Sequence, residues 1–132
     1  MKIMVTGTFD GLHPGHLHYF TEAKLYGDYL IAVIARDSTV EKEKGKKPLI
    51  TENERLNLVA SIRLVDEVVL GDAQDKLRTV EKVQPDIICL GYDQKVDEAM
   101  LKAALSTRGI TVDVKRISSH MPKQYKSRNL SW

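Results

Sequence analysis

The chain has 132 residues, of which 42% are hydrophobic, and its 20 basic and 18 acidic side chains give a formal net charge of +2. This hydrophobic content excludes a disordered chain, and the balanced charge gives no indication of nucleic acid or membrane binding. A single cysteine cannot form an intrachain disulfide, and no apolar run approaches the roughly 20 residues that cross a bilayer, so we expect one domain over residues 1–132 in the cytoplasm.

Strands and helices alternate along the predicted secondary structure. An apolar run at 2–6 predicts a strand that ends at Gly7, and a helix follows at 16–26. The apolar run at 29–35 is typical of a strand buried on both faces. Residues 37–50 are polar and rich in lysine, which predicts a loop. The remaining predictions are helices at 51–65, 75–84 and 96–109 and strands at 66–71, 85–91 and 110–117.

This order of elements predicts an α/β fold, a parallel sheet with helices on both of its faces. Thr51 and Glu54 have the spacing of a capping box, which marks a helix start. In such sheets, ligands bind at the carboxyl ends of the strands. The polar stretches that follow the first, second and fourth strands are therefore the candidate site.

Residues 7–16, GTFDGLHPGH, place two histidines three apart at a predicted strand-to-helix turn. Gly7 permits close approach of a ligand to the backbone, and Gly15 clears space for a bulky group. A helix N-terminus offers free amides and a positive dipole, and His13 and His16 add further donors, so the stretch favours phosphate chemistry. The alternatives are a metal site, for which no third ligand has good spacing, and a histidine that only caps the helix.

The same stretch resembles the T-x-F-D-x-x-H-x-G-H signature of the cytidylyltransferase-like nucleotidyltransferases. The resemblance implies a Rossmann-like open sheet of five parallel strands in the order 3-2-1-4-5. It also implies in-line attack of an acceptor phosphate on the α-phosphorus of a nucleoside triphosphate, with release of pyrophosphate. By the same resemblance, His13 and His16 are catalytic residues that bind the triphosphate and stabilise it at the transition state. The nucleotide-binding candidates in this stretch are Thr8, Phe9, His13, Pro14, Gly15 and His16, with Asp10 as a phosphate- or substrate-binding candidate.

A cluster of lysines lies in the predicted loop after the second strand. Lys44, as a catalytic residue, and Lys47, as a phosphate-binding residue, are the favoured members. The alternative is a solvated run of charge. Arg36 and Arg55 are predicted to reach the same phosphates, although Arg55 has an alternative role in a surface pair with Glu52.

Candidates also follow the fourth and fifth strands. Asp93 and Gln94 are predicted to bind the nucleotide, with an Asx turn as the alternative. The related cytidylyltransferases carry R-T-x-x-x-S-T-T near their C-terminus, whereas this chain departs from that pattern. Arg116 is the candidate for the arginine, and Ser119 and Ser127 are the candidates for the hydroxyl groups.

The middle of the chain indicates the acceptor. The stretches ARDSTV (35–40), GKKPLI (45–50) and PDIICLGYDQ (85–94) resemble the archaeal FAD synthases, which implies ATP and FMN as substrates. The alternatives are a cytidylyltransferase that uses CTP and a polyol or sugar phosphate, and a nucleotide-binding sensor without turnover. We expect Mg²⁺ or Co²⁺ to arrive with the triphosphate rather than in a protein metal site, and we expect a homodimer.

Overall fold

A computed structural model describes residues 1–118 of the chain. The strands in this part are β1 (Lys2–Gly7), β2 (Tyr29–Ile34), β3 (Glu67–Leu70), β4 (Ile87–Leu90) and β5 (Asp113–Arg116). The helices are α1 (Pro14–Lys24), α2 (Asp37–Lys44), α3 (Glu52–Ala60), α4 (Lys76–Val83) and α5 (Glu98–Ser106). None of these helices is long and apolar enough to span a bilayer.

The five strands form one parallel sheet in the order β3-β2-β1-β4-β5, which confirms the predicted order. Alternate residues of each strand face opposite sides, as the two-residue period of a strand requires. Ile3 and Val5 belong to a core that Phe20 of α1 completes. Met4 belongs to a second core on the other face, with Val80 of α4. Helices therefore cover both faces, and β1 lies at the centre.

The prediction of a loop over residues 37–50 is wrong in its first part, where α2 spans Asp37–Lys44. Val40 is the buried residue of this helix, so the sequence shows no apolar stripe of helical period. Gly45 ends the helix in a left-handed conformation, with its N–H donating to the carbonyl oxygen of Glu41. The lysines predicted to lie on a loop are therefore divided between a helix and the segment after it.

Two helix starts decide the geometry near the site. The first helix begins at Pro14, two residues before its predicted start, because proline is favourable in the first helical turn. The predicted start of α3 is confirmed, with Thr51 as N-cap: its hydroxyl accepts from the Glu54 N–H at 3.3 Å. The second half of the capping box is not formed, because the Glu54 carboxylate accepts from the Thr51 hydroxyl at 2.9 Å.

Candidate active site

The turn after β1 is built around a strained, buried phenylalanine. Phe9 has a φ of 55°, a conformation that bulky side chains rarely adopt, and its side chain is only 3% exposed. Its ring lies against Gly7, where an added Cβ would come within 2.7 Å of the ring. The same ring contacts His16 edge-on, with the ring centroids 5.3 Å apart. Strain of this kind persists where packing enforces it and is typical of functional sites.

His13 and His16 form a reciprocal cap at the start of α1. The Gly15 N–H donates to His13 Nδ1 at 3.0 Å, and the His13 N–H donates to His16 Nδ1 at 3.3 Å. The His16 and Leu17 N–H groups donate to the His13 carbonyl oxygen. The expectation that this helix N-terminus offers free amides is therefore wrong, since its first-turn amides already have partners.

The same cap fixes the imidazole tautomers. Because Nδ1 accepts a hydrogen bond in both rings, a neutral His13 or His16 carries its proton on Nε2. Burial and the neighbouring His13 lower the pKa of His16 to about 4, although Asp93 opposes this shift. His16 is therefore a neutral Nε2–H donor at neutral pH. The bulky group that Gly15 accommodates is the His13 ring, which an added Cβ would approach to 2.7 Å.

The switch point of the sheet lies between β1 and β4, where the strand order reverses, and sheets of this kind form a ligand crevice there. The register between these strands ends at Val5 and Cys89, whereas β1 continues along β2 as far as Gly7. Gln94 bridges the gap: its Nε2 donates to the Thr6 carbonyl oxygen at 2.8 Å, and its Oε1 accepts from the Gly91 N–H at 3.0 Å. The predicted contact of Gln94 with a base stays a prediction. In this structure its side-chain amide links the end of β1 to the loop after β4.

Tyr19 is a site residue that sequence reasoning missed. Its buried hydroxyl donates to the Cys89 carbonyl oxygen at 2.5 Å and accepts from the Thr6 N–H at 3.3 Å. Burial raises the pKa of this phenol, so it stays protonated. The available signal was its position one helical turn after His16, combined with the need of a buried tyrosine hydroxyl for a partner.

Asp10 fastens the turn after β1 to the segment that precedes α3. The N–H groups of Leu49 and Ile50 donate to its two carboxylate oxygens at 2.9 and 2.8 Å. The hydrogen bond from Leu49 is the main cause that lowers the pKa of Asp10 below its usual value. A carboxylate engaged in this way organises the site, and its predicted contact with substrate stays a prediction.

Arg55 lies in the interior and not at the ligand edge. Its guanidinium donates to the carbonyl oxygens of Thr8 and Ile50 at 2.7 and 2.9 Å and to Asp37 at 2.7 Å. The proposed surface pair of Arg55 with Glu52 is wrong, because Glu52 instead accepts from the Asp37 N–H. Arg55 thus positions Thr8, the residue that opens the strained turn.

Arg36 and the lysines occupy different places around this network. Arg36 Nε donates to the Gly71 carbonyl oxygen at 2.7 Å, and its guanidinium lies 3.6 Å from Glu52, which directs it toward β3. Lys44 Nζ reaches Thr8 Oγ1 at 3.5 Å, so the structure brings this predicted catalytic residue to the turn. Lys47 is exposed beyond the end of α2.

Arg116 organises the loop after β4. Its guanidinium donates to the carbonyl oxygens of Gly91 and Gln94 at 2.9 and 2.6 Å, to that of Val96, and to the Glu98 carboxylate. These bonds engage the groups that the predicted phosphate contact would use. Asp93 is exposed on the same loop and acts electrostatically on His16.

Two predicted residues, Ser119 and Ser127, lie outside the described part of the chain. Within residues 1–118, no group of three or more histidine, cysteine, aspartate or glutamate side chains is arranged to hold a metal ion. Besides Tyr19, sequence reasoning missed Asp37 and Glu98 as the carboxylates that neutralise Arg55 and Arg116. No periodicity marks these pairs, because each joins residues 18 positions apart.

The chain is similar in sequence to known proteins over most of its length. A cytidylyltransferase-like family model matches residues 4–131. The chain is 49% identical over 120 residues to a FAD synthase of Thermoplasma volcanium, covering 91% of this chain and 84% of that protein. It is 45% identical over 116 residues to a FAD synthase of Ferroglobus placidus, covering 88% of this chain and 75% of that protein.

Solved structures show the same fold. A crystal structure described as the lipopolysaccharide core biosynthesis protein from Thermoplasma volcanium superposes with a TM-score of 0.88 at 49% identity, covering 91% of this chain and 98% of that one. Pantoate-beta-alanine ligase from Francisella tularensis superposes with a TM-score of 0.66 at 14% identity, covering 98% of this chain and 66% of that one, and supports the fold alone.

Proposed function

We propose a reaction for a chain that belongs to the cytidylyltransferase-like family and is a nucleotidyltransferase. The reaction is transfer of AMP from ATP to FMN, which gives FAD and pyrophosphate. The observation that carries this proposal is the reciprocal cap that leaves two Nε2–H donors, from His13 and His16, beside the crevice of the sheet. The acceptor is proposed from the FAD synthases that are 44–49% identical to this chain.

The chemistry is an in-line displacement at phosphorus. A phosphate oxygen of FMN forms a bond to the α-phosphorus of ATP, and the bond from that phosphorus to the bridging oxygen of pyrophosphate breaks. Negative charge grows on the transferring oxygens, where positioned donors stabilise the transition state more than the ground state. His16 suits this role because it is neutral and partly desolvated, so that its Nε2–H donates without a change of protonation.

Other groups assist by position and charge. Lys44 brings a positive charge to the turn after β1, with its Nζ 3.5 Å from Thr8 Oγ1. Asp93 lies on the loop after β4, on the other side of the crevice. We place the triphosphate between them, with the acceptor phosphate on the side of the lysines. The divalent ion arrives as part of the nucleotide substrate, held mainly by phosphate oxygens and water.

The proposal is tested by pyrophosphate release in a two-by-two assay. Purified protein with Mg²⁺ or Co²⁺ receives ATP or CTP, together with FMN or glycerol 3-phosphate, and products are separated by chromatography. We expect release with ATP and FMN, accompanied by FAD. Release only with CTP and glycerol 3-phosphate would keep the class of enzyme and overturn the acceptor.

A variant separates catalysis from binding alone. His16→Ala removes one transition-state donor and is expected to lower kcat by about 10²–10³-fold. It also removes the acceptor of the His13 N–H, so we expect the melting temperature to fall by about 4 °C, and kcat is compared well below that temperature. A sensor that binds nucleotide without turnover would release no pyrophosphate as wild type, and the substitution would change only its nucleotide affinity.

A further inference from the structure

Leu49 is an exposed leucine whose backbone is fixed to the active-site turn. Its side chain is 93% exposed, while its N–H donates to Asp10 at 2.9 Å. The next residue, Ile50, is held on both sides, by the second Asp10 oxygen and by Arg55 Nε at 2.9 Å. The apolar side chain is therefore presented to solvent from a backbone that three hydrogen bonds hold to Asp10 and Arg55.

Exposure of a leucine alone means little, since single apolar side chains are common on protein surfaces. Leu25 shows the ordinary case: it is 76% exposed at the end of α1, near the amino ends of the strands. Leu49 differs in its attachments. Its partner Asp10 lies three residues before His13, so the backbone of Leu49 is bound to the turn that carries the two histidines.

The residues just before Leu49 are cationic. Lys44, Lys46 and Lys47 precede the apolar run of Pro48, Leu49 and Ile50, and Lys44 Nζ reaches Thr8 Oγ1 at 3.5 Å. The segment thus joins ammonium groups, which suit a phosphate, to an apolar surface, which suits a flat ring. A polyol phosphate would use only the first part of this segment.

We propose that Leu49 is a specificity-determining residue that covers one face of the planar ring of the acceptor, while the neighbouring lysines hold its phosphate. The acceptor class is therefore a phosphate ester that carries a flat, largely apolar ring system. This inference rests on the proposed function, in which that ring is the isoalloxazine of FMN. Burial of the leucine against the ring supplies binding that glycerol phosphate cannot obtain.

The test compares the same substitution at two exposed leucines. Leu49→Asn removes the apolar contact, and Leu25→Asn is the matched control at the other edge of the sheet. FMN binding is followed by fluorescence anisotropy with a non-hydrolysable ATP analogue and Mg²⁺ present, and the KM values for FMN and ATP are measured separately. Because both positions are exposed, neither variant is expected to change the melting temperature by more than about 1 °C.

We expect Leu49→Asn to raise the Kd and KM for FMN about tenfold, with the KM for ATP within about twofold of wild type. Leu49→Met is expected to restore FMN binding, and Leu25→Asn to leave every constant unchanged. If wild type makes FAD and Leu49→Asn binds FMN normally, the inference is overturned and the proposed function stands. If wild type neither binds FMN nor makes FAD, both are overturned.

Discussion

Two arginines hold the two sides of the site, and they differ in how far solvent reaches them. Arg55 donates hydrogen bonds to the carbonyl oxygens of Thr8 and Ile50 and to the Asp37 carboxylate, and it is 0% exposed. Arg116 donates hydrogen bonds to carbonyl oxygens of the loop after β4 and pairs with the Glu98 carboxylate, and its side chain is 29% exposed.

The shared design shows what these arginines do. In each case one carboxylate neutralises the guanidinium, and backbone carbonyls from a loop use the remaining N–H groups, so the charge shapes a loop. The difference in exposure decides where a substitution acts. When a buried arginine is removed, its partners lose hydrogen bonds that nothing replaces. When a partly exposed arginine is removed, water can hydrogen-bond to some of the partners that it leaves.

The largest expected effect is on stability, at Arg55. Arg55→Ala leaves Asp37 and two carbonyl oxygens without their buried donor, so we expect a loss of about 3–5 kcal/mol in the free energy of unfolding. Arg116→Ala is expected to lose about 1–2 kcal/mol, because solvent reaches its partners. Urea denaturation of both variants measures the difference.

The exposed Arg63 supplies the control for that comparison. Arg63→Ala removes an arginine from the surface, and we expect it to stay within about 0.5 kcal/mol of wild type. Equal losses for Arg55→Ala and Arg116→Ala would contradict the view that burial separates the two sites.

The sequence predicted the frame of this molecule better than its contacts. The parallel sheet followed from the alternation of elements, and its strand order followed from the family resemblance. The start of α3 followed from Thr51 as an N-cap candidate, because such a signal is local. The helix α2 escaped prediction since Val40 is its buried residue and its other positions are polar. A helix with so narrow a buried face resembles a loop in sequence.

The site shows the same division. The pairing of His13 with His16 across a glycine was visible in the sequence, and the structure adds why Gly15 is there. The sequence predicts phosphate contacts for Arg55 and Arg116 because an arginine near a strand end can either bind a phosphate or hold a loop in place. Their actual partners are backbone carbonyl oxygens and distant carboxylates, and neither leaves a pattern in a single sequence.

The next effect concerns nucleotide binding, at the pair of Arg116 and Glu98. Glu98→Gln removes the charge that holds Arg116, so the loop that carries Asp93 loses its shape, and we expect the KM for ATP to rise about tenfold with little change in kcat. Arg116→Lys is also expected to raise the KM for ATP, because a lysine ammonium cannot reach all the acceptors that the planar guanidinium group holds together. The double variant is expected to be no worse than either single one.

That cycle also discriminates between the two roles of Arg116. If Arg116 contacts the triphosphate directly, Glu98→Gln frees the guanidinium and leaves the KM for ATP unchanged or lower, while Arg116→Lys raises it. Glu81→Gln is the matched control, since it breaks another arginine–glutamate pair, with Arg108 at 3.1 Å, and should leave the KM unchanged.

The smallest expected effect concerns His16, which lies between the two arginine-held loops and carries no charge. Its folded pKa of about 4 lies below the ordinary value of 6.5, so the unfolded chain binds more protons between these pH values. The free energy of unfolding should therefore fall as the pH decreases from about 6.5 toward 4, by about 1 kcal/mol from this group after allowance for partial exposure. His16→Gln removes that titration, so denaturation at pH 7 and pH 4.5 should show a smaller loss of the free energy of unfolding in the variant than in wild type.

Equal losses in the two proteins would mean that His16 is not desolvated by Phe9 and its surroundings. Catalysis would then have to proceed with a histidine that gains charge near neutral pH, and the activity of the enzyme would change between pH 6 and 7.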